Sequence, residues 1–355
     1  MARRLVFITQ AYTPAETILG VTHDWVRALA ARCAGVDVLA LQGSQEGAPA
    51  NVRVYSLGKE RGFGRGAQAA SFYRALACVL PKAGAVLAHM VPRYALLALP
   101  PAAVARRPVA LWYAQGGITR ELHLAARLVR YILTPTRESF PLHGATIDGR
   151  VVVTGHGIDT QRYAPDGTPP AEPKRFLAAG RLSPSKRYEP LIDAFAALEP
   201  GSCRLRIVGG PLYETDRAYE RRLRAQIVQL GLEGLVELAG AVPYAQMPAE
   251  YRAAWALAHT SATGSLDKVV LEAMACGTPV LSTATPSRTI FGALAERLWC
   301  PSDPPDALAR RLCQALRWPA RERAALASAA RAIVVRDHSL DRWADRVVRL
   351  LGVDS

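Results

Sequence analysis

Cysteine is sparse and scattered in this 355-residue chain: Cys33, Cys78, Cys203, Cys276, Cys300 and Cys313 form no CxxC pair, and no histidine stands at metal-ligand spacing. Neither a zinc site nor a disulfide framework is signalled, and buried thiols in a reducing cytoplasm are the expectation. No stretch reaches the roughly 18 to 20 uninterrupted apolar residues that a membrane span needs. The opening Met1-Ala2-Arg3-Arg4-Leu5-Val6-Phe7-Ile8 runs into polar residues too early for a signal peptide, so a cytoplasmic protein is expected. Acidic residues are also short, 30 Asp and Glu against 44 Lys and Arg for a net charge of +14. That imbalance asks for an acidic partner: nucleic acid, an anionic membrane leaflet or a phosphorylated substrate. Arginine is spread over the whole chain, and there is no zinc finger, RNA-binding aromatic motif or basic run interleaved with aromatics, so no nucleic-acid partner is expected.

What is present is strand-helix alternation, twice. Short apolar runs at Leu5–Thr9, Val36–Leu41, Val52–Leu57, Ala85–His89, Val109–Tyr113, Tyr131–Pro135 and Arg150–Thr154 are too uniformly apolar for half-exposed strands. They predict a parallel sheet covered on both faces. The stretch from Ala164 to Pro173, crowded with proline and glycine, supports neither helix nor central strand and reads as a linker over 165–173. After it the pattern restarts, with strands at Arg175–Ala179, Arg204–Val208, Val236–Leu238, Ala256–His259 and Pro279–Ser282. Helices carrying Tyr188, Leu191, Ile192 and Phe195, then Leu223, Ile227 and Leu230, and then Lys268 to Cys276 lie between them. A length too great for one ordinary core fits two doubly wound α/β domains, 1–164 and 174–337, with ligands expected at the carboxyl ends of the strands.

Two segments carry chemistry. Gly180-Arg181-Leu182-Ser183-Pro184-Ser185-Lys186 follows a strand directly and projects two cations from one loop. Such a pair fits a diphosphate, and a solvated basic loop is the competing reading. In the run from Ser261 to Val280, small and hydroxylated residues lead into a helix whose free N–H groups form a ready anion site. Glu272 lies on an otherwise apolar stretch of that helix, where a carboxylate needs partners: ribose hydroxyls are suitable, and an ion pair with one of the arginines is the alternative.

Gly180-Arg181-Leu182 with Lys186, then Leu271-Glu272-Ala273-Met274-Ala275-Cys276-Gly277-Thr278-Pro279-Val280, resembles the family-4 retaining glycosyltransferases, whose fold is GT-B. The Gly157-Ile158-Asp159-Thr160 run with Tyr163, and Val208-Gly209-Gly210, match as well, so the likeness extends over nearly the whole chain. The resemblance implies two Rossmann-like domains facing a crevice, with a final segment of about 338–355 packing back on the first. It implies that Arg181 and Lys186 bind the donor diphosphate, Glu272 the ribose, and the backbone around Val242 the base, with Gly209 and Gly210 bordering the pocket. A nucleotide-sugar donor and a saccharide, lipid-linked or small-molecule hydroxyl acceptor are the implied partners, in polysaccharide, glycolipid or other glycoconjugate synthesis. With no DxD-type motif, neither metal nor cofactor is expected.

The chain departs from the family at the sugar end. Where the family has a second glutamate, eight positions before Glu272, stands Gly264. Losing a charged hydrogen bond costs about 1.5 to 3 kcal/mol, and Ser265, Asp267 and Lys268 in the same loop are candidates to bind the sugar instead. Gln115 stands where the family commonly has a histidine; it orients or polarises but carries no proton at neutral pH. The glycine-rich loop is reduced to Ile18-Leu19-Gly20-Val21-Thr22, with Gly20 the candidate for approach to phosphate. The basic segment from Gly58 to Lys82 either lies peripherally on an anionic, cytoplasmic-face membrane or packs as a core-facing helix behind a solvated loop. Two rival functions share the donor: a sugar-nucleotide epimerase of GT-B-like fold, and a catalytically weak sugar-nucleotide-binding partner subunit.

Overall fold

The computed structural model describes residues 3–13, 21–301 and 306–354. The chain divides into two compact units, Met1–Asp159 with Asp337–Ser355, and Thr160–Arg336. The first unit carries β1 (Arg4–Tyr12), β2 (Gly35–Gly43), β3 (Val52–Ser56), β4 (Ala83–His89), β5 (Val109–Trp112), β6 (Tyr131–Thr134) and β7 (Val151–Val153) in the sheet order β3-β2-β1-β4-β5-β6-β7. All its pairings are parallel. Successive side chains of β1 feed opposite faces: Leu5 and Phe7 enter one core with Trp25, Leu29, Trp343 and Val347, while Val6 and Ile8 enter the other with Phe72, Leu76 and Leu122. Both faces of the inner strands are therefore dry, which explains why those strands read as continuous apolar runs.

The helix Leu340–Leu351 buries Trp343, Ala344, Val347, Val348 and Leu351, a helical period, against the helix Val21–Ala30. The chain is stitched at its entry by Ile158 N–H to His338 O (2.8 Å) and Leu340 N–H to Ile158 O (2.7 Å). Trp25 Nε1 donates to Gly157 O at 2.9 Å. A Cβ on Gly157 would lie 2.8 Å from that indole nitrogen and 3.0 Å from the Trp343 ring, so only glycine fits between the two tryptophans. In the basic segment the helix Arg65–Val79 buries Phe72, Ala75, Leu76 and Val79, so its apolar side faces the core.

The second unit holds β8 (Arg175–Ala179), β9 (Arg204–Val208), β10 (Val236–Gly240), β11 (Ala256–His259) and β12 (Val280–Ser282), ordered β10-β9-β8-β11-β12 and parallel throughout. Its helix Tyr188–Ala196 buries Tyr188, Leu191, Ile192 and Phe195, and Glu214–Gln229 buries Leu223 and Ile227. Leu230 is the exception to the expected apolar stripe, because the helix stops at Gln229 and Leu230 is 39% exposed. The proline-rich stretch before β8 is grouped with this unit and fastened to it. Arg331 donates to Thr160 O and Tyr163 O, Arg252 donates to Ala164 O, and Ala171 N–H bonds Ala253 O.

Candidate functional site

In the second unit the strand order reverses between β8 and β11, the point where doubly wound sheets open a crevice beyond their carboxyl ends. The loops after these two strands are joined: Thr260 Oγ1 donates to Lys186 O at 2.8 Å, and Ala262 N–H bonds Ser185 O at 2.9 Å. Gly209, after β9, closes the same end of the sheet. Its φ is +147°, and a Cβ there would stand 1.9 Å from Gly180 O, so the approach of the two loops requires glycine. Leu182 N–H then bonds Gly210 O at 3.1 Å, which places Arg181 beside the Gly209-Gly210 turn.

Lys186 and Asp267, 81 residues apart, meet at 2.6 Å between Nζ and Oδ2. The same carboxylate oxygen lies 2.9 Å from His259 Nε2, while His259 Nδ1 lies 2.9 Å from Ser282 Oγ. Thr263 Oγ1 approaches the other oxygen, Oδ1, at 3.4 Å. Burial works to raise the Asp267 carboxyl, but the His259 hydrogen bond and the Lys186 charge outweigh it and hold the group well below the usual carboxylate range. Asp267, the candidate sugar ligand of the sequence, is thus ion-paired with Lys186 and hydrogen-bonded to His259 within the protein. Behind the loop, Tyr188 is buried and donates to Gly180 O at 3.0 Å; burial pushes its phenol far above the ordinary value, with the Asp267 charge adding to the shift.

Asp267→Asn is expected to cost about 1.5–3 kcal/mol near neutral pH, the range for hydrogen bonds to charged groups. Because the folded carboxyl is held low, its stabilisation is present above the unfolded value of about 3.9 and is lost as pH falls through the folded value. The difference in urea midpoint between wild type and variant should shrink below about pH 4. A difference that widens in acid contradicts this assignment.

Arg181 stays 40% exposed, with Nε 3.6 Å from Asp216 Oδ2 and the guanidinium 5.3 Å from the centre of the Tyr213 ring. Glu272 is buried in the helix Lys268–Ala275 and accepts a 2.8 Å hydrogen bond from Tyr251 Oη. No arginine pairs with it among the described residues; the internal partner is a tyrosine, whose phenol burial and the Glu272 charge push far up. Lys268 opens the same helix, 5.9 Å from the centre of the Tyr244 ring. Gly264 (φ +71°) and the buried Ser265 lie in the loop before it, and Val242 follows β10, half-buried. In the first unit Gln115 is exposed after β5, and Gly20 lies outside the described residues. His259 and Tyr251 escaped the sequence reading. One polar residue ending the apolar strand Ala256-Leu257-Ala258-His259 was the available signal for the first; nothing local marked the second. Among the described residues no group of three or more His, Cys, Asp or Glu could hold a metal ion, and no helix is long and apolar enough to cross a membrane.

Residues 159–333 match the family model of glycosyl transferases group 1. That match spans nearly the whole of the second unit. The D-inositol 3-phosphate glycosyltransferase of Kineococcus radiotolerans is 34% identical over 184 residues, 47% of this chain and 42% of the relative. The chain therefore spans less than half of that protein's length. Anabaena HepE, solved with UDP and glucose, covers 99% of both chains at a TM-score of 0.79 and 21% identity. Sucrose-phosphate synthase from Thermosynechococcus elongatus covers 98% of both at 0.76 and 19% identity. The fold is that of the GT-B glycosyltransferases, with a seven-stranded and a five-stranded parallel sheet.

Proposed function

We propose that this chain is a retaining glycosyltransferase of family 4, moving a sugar from a nucleotide-sugar donor to a hydroxyl acceptor. The reading is carried by Lys186, latched to Asp267 beside the exposed Arg181 at the switch point of the second unit. Two cations there would neutralise the charge that builds on a diphosphate as its bond to the sugar carbon breaks. The acceptor oxygen forms the new bond to that carbon on the face the diphosphate leaves. The acceptor's proton passes to a diphosphate oxygen, so no carboxylate nucleophile is called for. Glu272, with Tyr251 on one oxygen, is assigned to the ribose hydroxyls; Val242 and the Gly209-Gly210 turn border the base and phosphate. Ser265 and Lys268 are assigned to the sugar end. Asp267 and His259 act one step back, by holding Lys186 in place.

A thermal-shift screen against UDP-, GDP-, ADP- and dTDP-sugars tests the reading. UDP-sugars come first, because the similar HepE was solved with UDP and glucose. A ligand at 100 times its Kd stabilises by about 2.7 kcal/mol, and Arg181→Ala should weaken binding of the preferred donor at least tenfold. A donor whose stabilisation survives that change removes the diphosphate grip. Turnover with a glycoside product of inverted anomeric configuration, read by proton NMR, removes retention.

A further inference from the structure

At the other end of the helix Lys268–Ala275, about 12 Å from its start at 1.5 Å per residue, a cavity of about 320 Å³ is bordered by Asp166, Thr168, Arg252, Arg323, Ser328 and Arg331. The proposed donor site does not use it. Three arginines and one carboxylate, Asp166, line it, and the Arg323 guanidinium lies 5.0 Å from the centre of the Trp255 ring. Arg252 pairs with Asp166 at 2.8 Å and donates to Ala164 O. Arg323 donates only to the neutral carbonyls of Trp255 (2.9 Å) and Ala254 (3.0 Å). Arg331 likewise donates only to the carbonyls of Tyr163, Ala275 and Thr160. Neither Arg323 nor Arg331 has a carboxylate partner among the described residues. Burial accordingly shifts the Arg323 guanidinium below its ordinary value, the mark of a cation kept from water without a counter-charge.

Backbone carbonyls can fix the direction of a guanidinium but cannot balance its charge. Each guanidinium has five N–H donors; Arg323 uses two of them and Arg331 three. The arrangement is that of cations pre-oriented by the backbone, with donors to spare and hydroxyls from Thr168 and Ser328 at the rim. The geometry points to a further anion site in the second unit, one that takes a phosphoryl dianion, either free phosphate or the phosphate of a monoester.

The experiment is titration calorimetry with orthophosphate at constant ionic strength on the wild type, Arg181→Ala and Ser328→Glu. Ser328 is exposed on the helix Ala320–Ile333 and makes none of the carbonyl bonds, so Ser328→Glu brings a carboxylate to the cavity while leaving every clamp intact. Circular dichroism checks that it folds. The site predicts saturable binding that Ser328→Glu weakens at least tenfold and Arg181→Ala changes less than twofold. Any other pattern overturns it, including no saturable binding, which would leave the arginines as carbonyl clamps alone. A sugar phosphate binding tenfold tighter than orthophosphate identifies a phosphorylated metabolite as the occupant; the reverse order identifies free phosphate. The result does not depend on whether the chain transfers a sugar.

Discussion

Lys186→Ala is expected to lower kcat by about 100- to 1,000-fold, the range seen when one preorganised donor to a developing charge is removed. The fall should lie mainly in kcat, with the Kd of the free nucleotide shifting less. In the proposed reaction the charge that Lys186 would answer grows as the diphosphate departs, so its interaction would be strongest in the transition state. Its position supports a large effect. A lysine on a flexible stem contributes most when another group holds it, and the 2.6 Å contact to an Asp267 that His259 also grips supplies that hold. Lys186→Arg should restore only part of the rate, because a planar fork does not reproduce a point contact. Steady-state kinetics with the donor found by thermal shift, set beside nucleotide calorimetry, make the measurement. Equal losses in kcat and in nucleotide affinity would mean that Lys186 only binds.

Trp343→Ala should destabilise the first unit by about 3–5 kcal/mol, the usual cost of emptying a large aromatic site in a core. The indole is completely buried, its ring centre is 4.2 Å from that of Trp25, and it closes over Gly157. Collapse into the vacated space is opposed because Trp25 is also packed against Trp112, 4.7 Å between ring centres, and bonded to Gly157 O. Calorimetry should show the transition of the first unit moving down while nucleotide still stabilises the second. A shift of less than about 1 kcal/mol, the cost of a tolerated volume-conserving swap, would mean that this helix does not complete the core.

The twelve strands of the described residues were legible in the sequence, because the inner strands leave apolar runs and the turns between strands need glycine, proline or small polar residues. The loop that brings Arg181 and Lys186 to a strand end was legible for the same reason. The partners of those side chains were not. Asp267 stood out as a carboxylate in a candidate loop, but nothing near it in sequence indicates Lys186 or His259; the meeting of β8 and β11 makes that contact. For Glu272 the need for a partner was legible, but the internal one is Tyr251 on the helix Met247–Ala253 and not the arginine weighed as the alternative to ribose. The stretch 165–173 reads as a linker because proline and glycine bar regular structure. Composition does not say where irregular backbone is fastened, and Arg252 and Ala253 fasten it to the second unit.

The first unit takes its strands from residues before Asp159 and its closing helix from residues after Asp337, while the second is drawn from the unbroken stretch between them. On a ribosome the first sheet is therefore made long before the helix that completes its core. The sheet made earliest lacks, until the intervening stretch Thr160–Arg336 has been made, the tryptophan that covers one of its faces. Until Trp343 arrives, Trp25, Leu29 and their neighbours are an open apolar surface on a nascent chain.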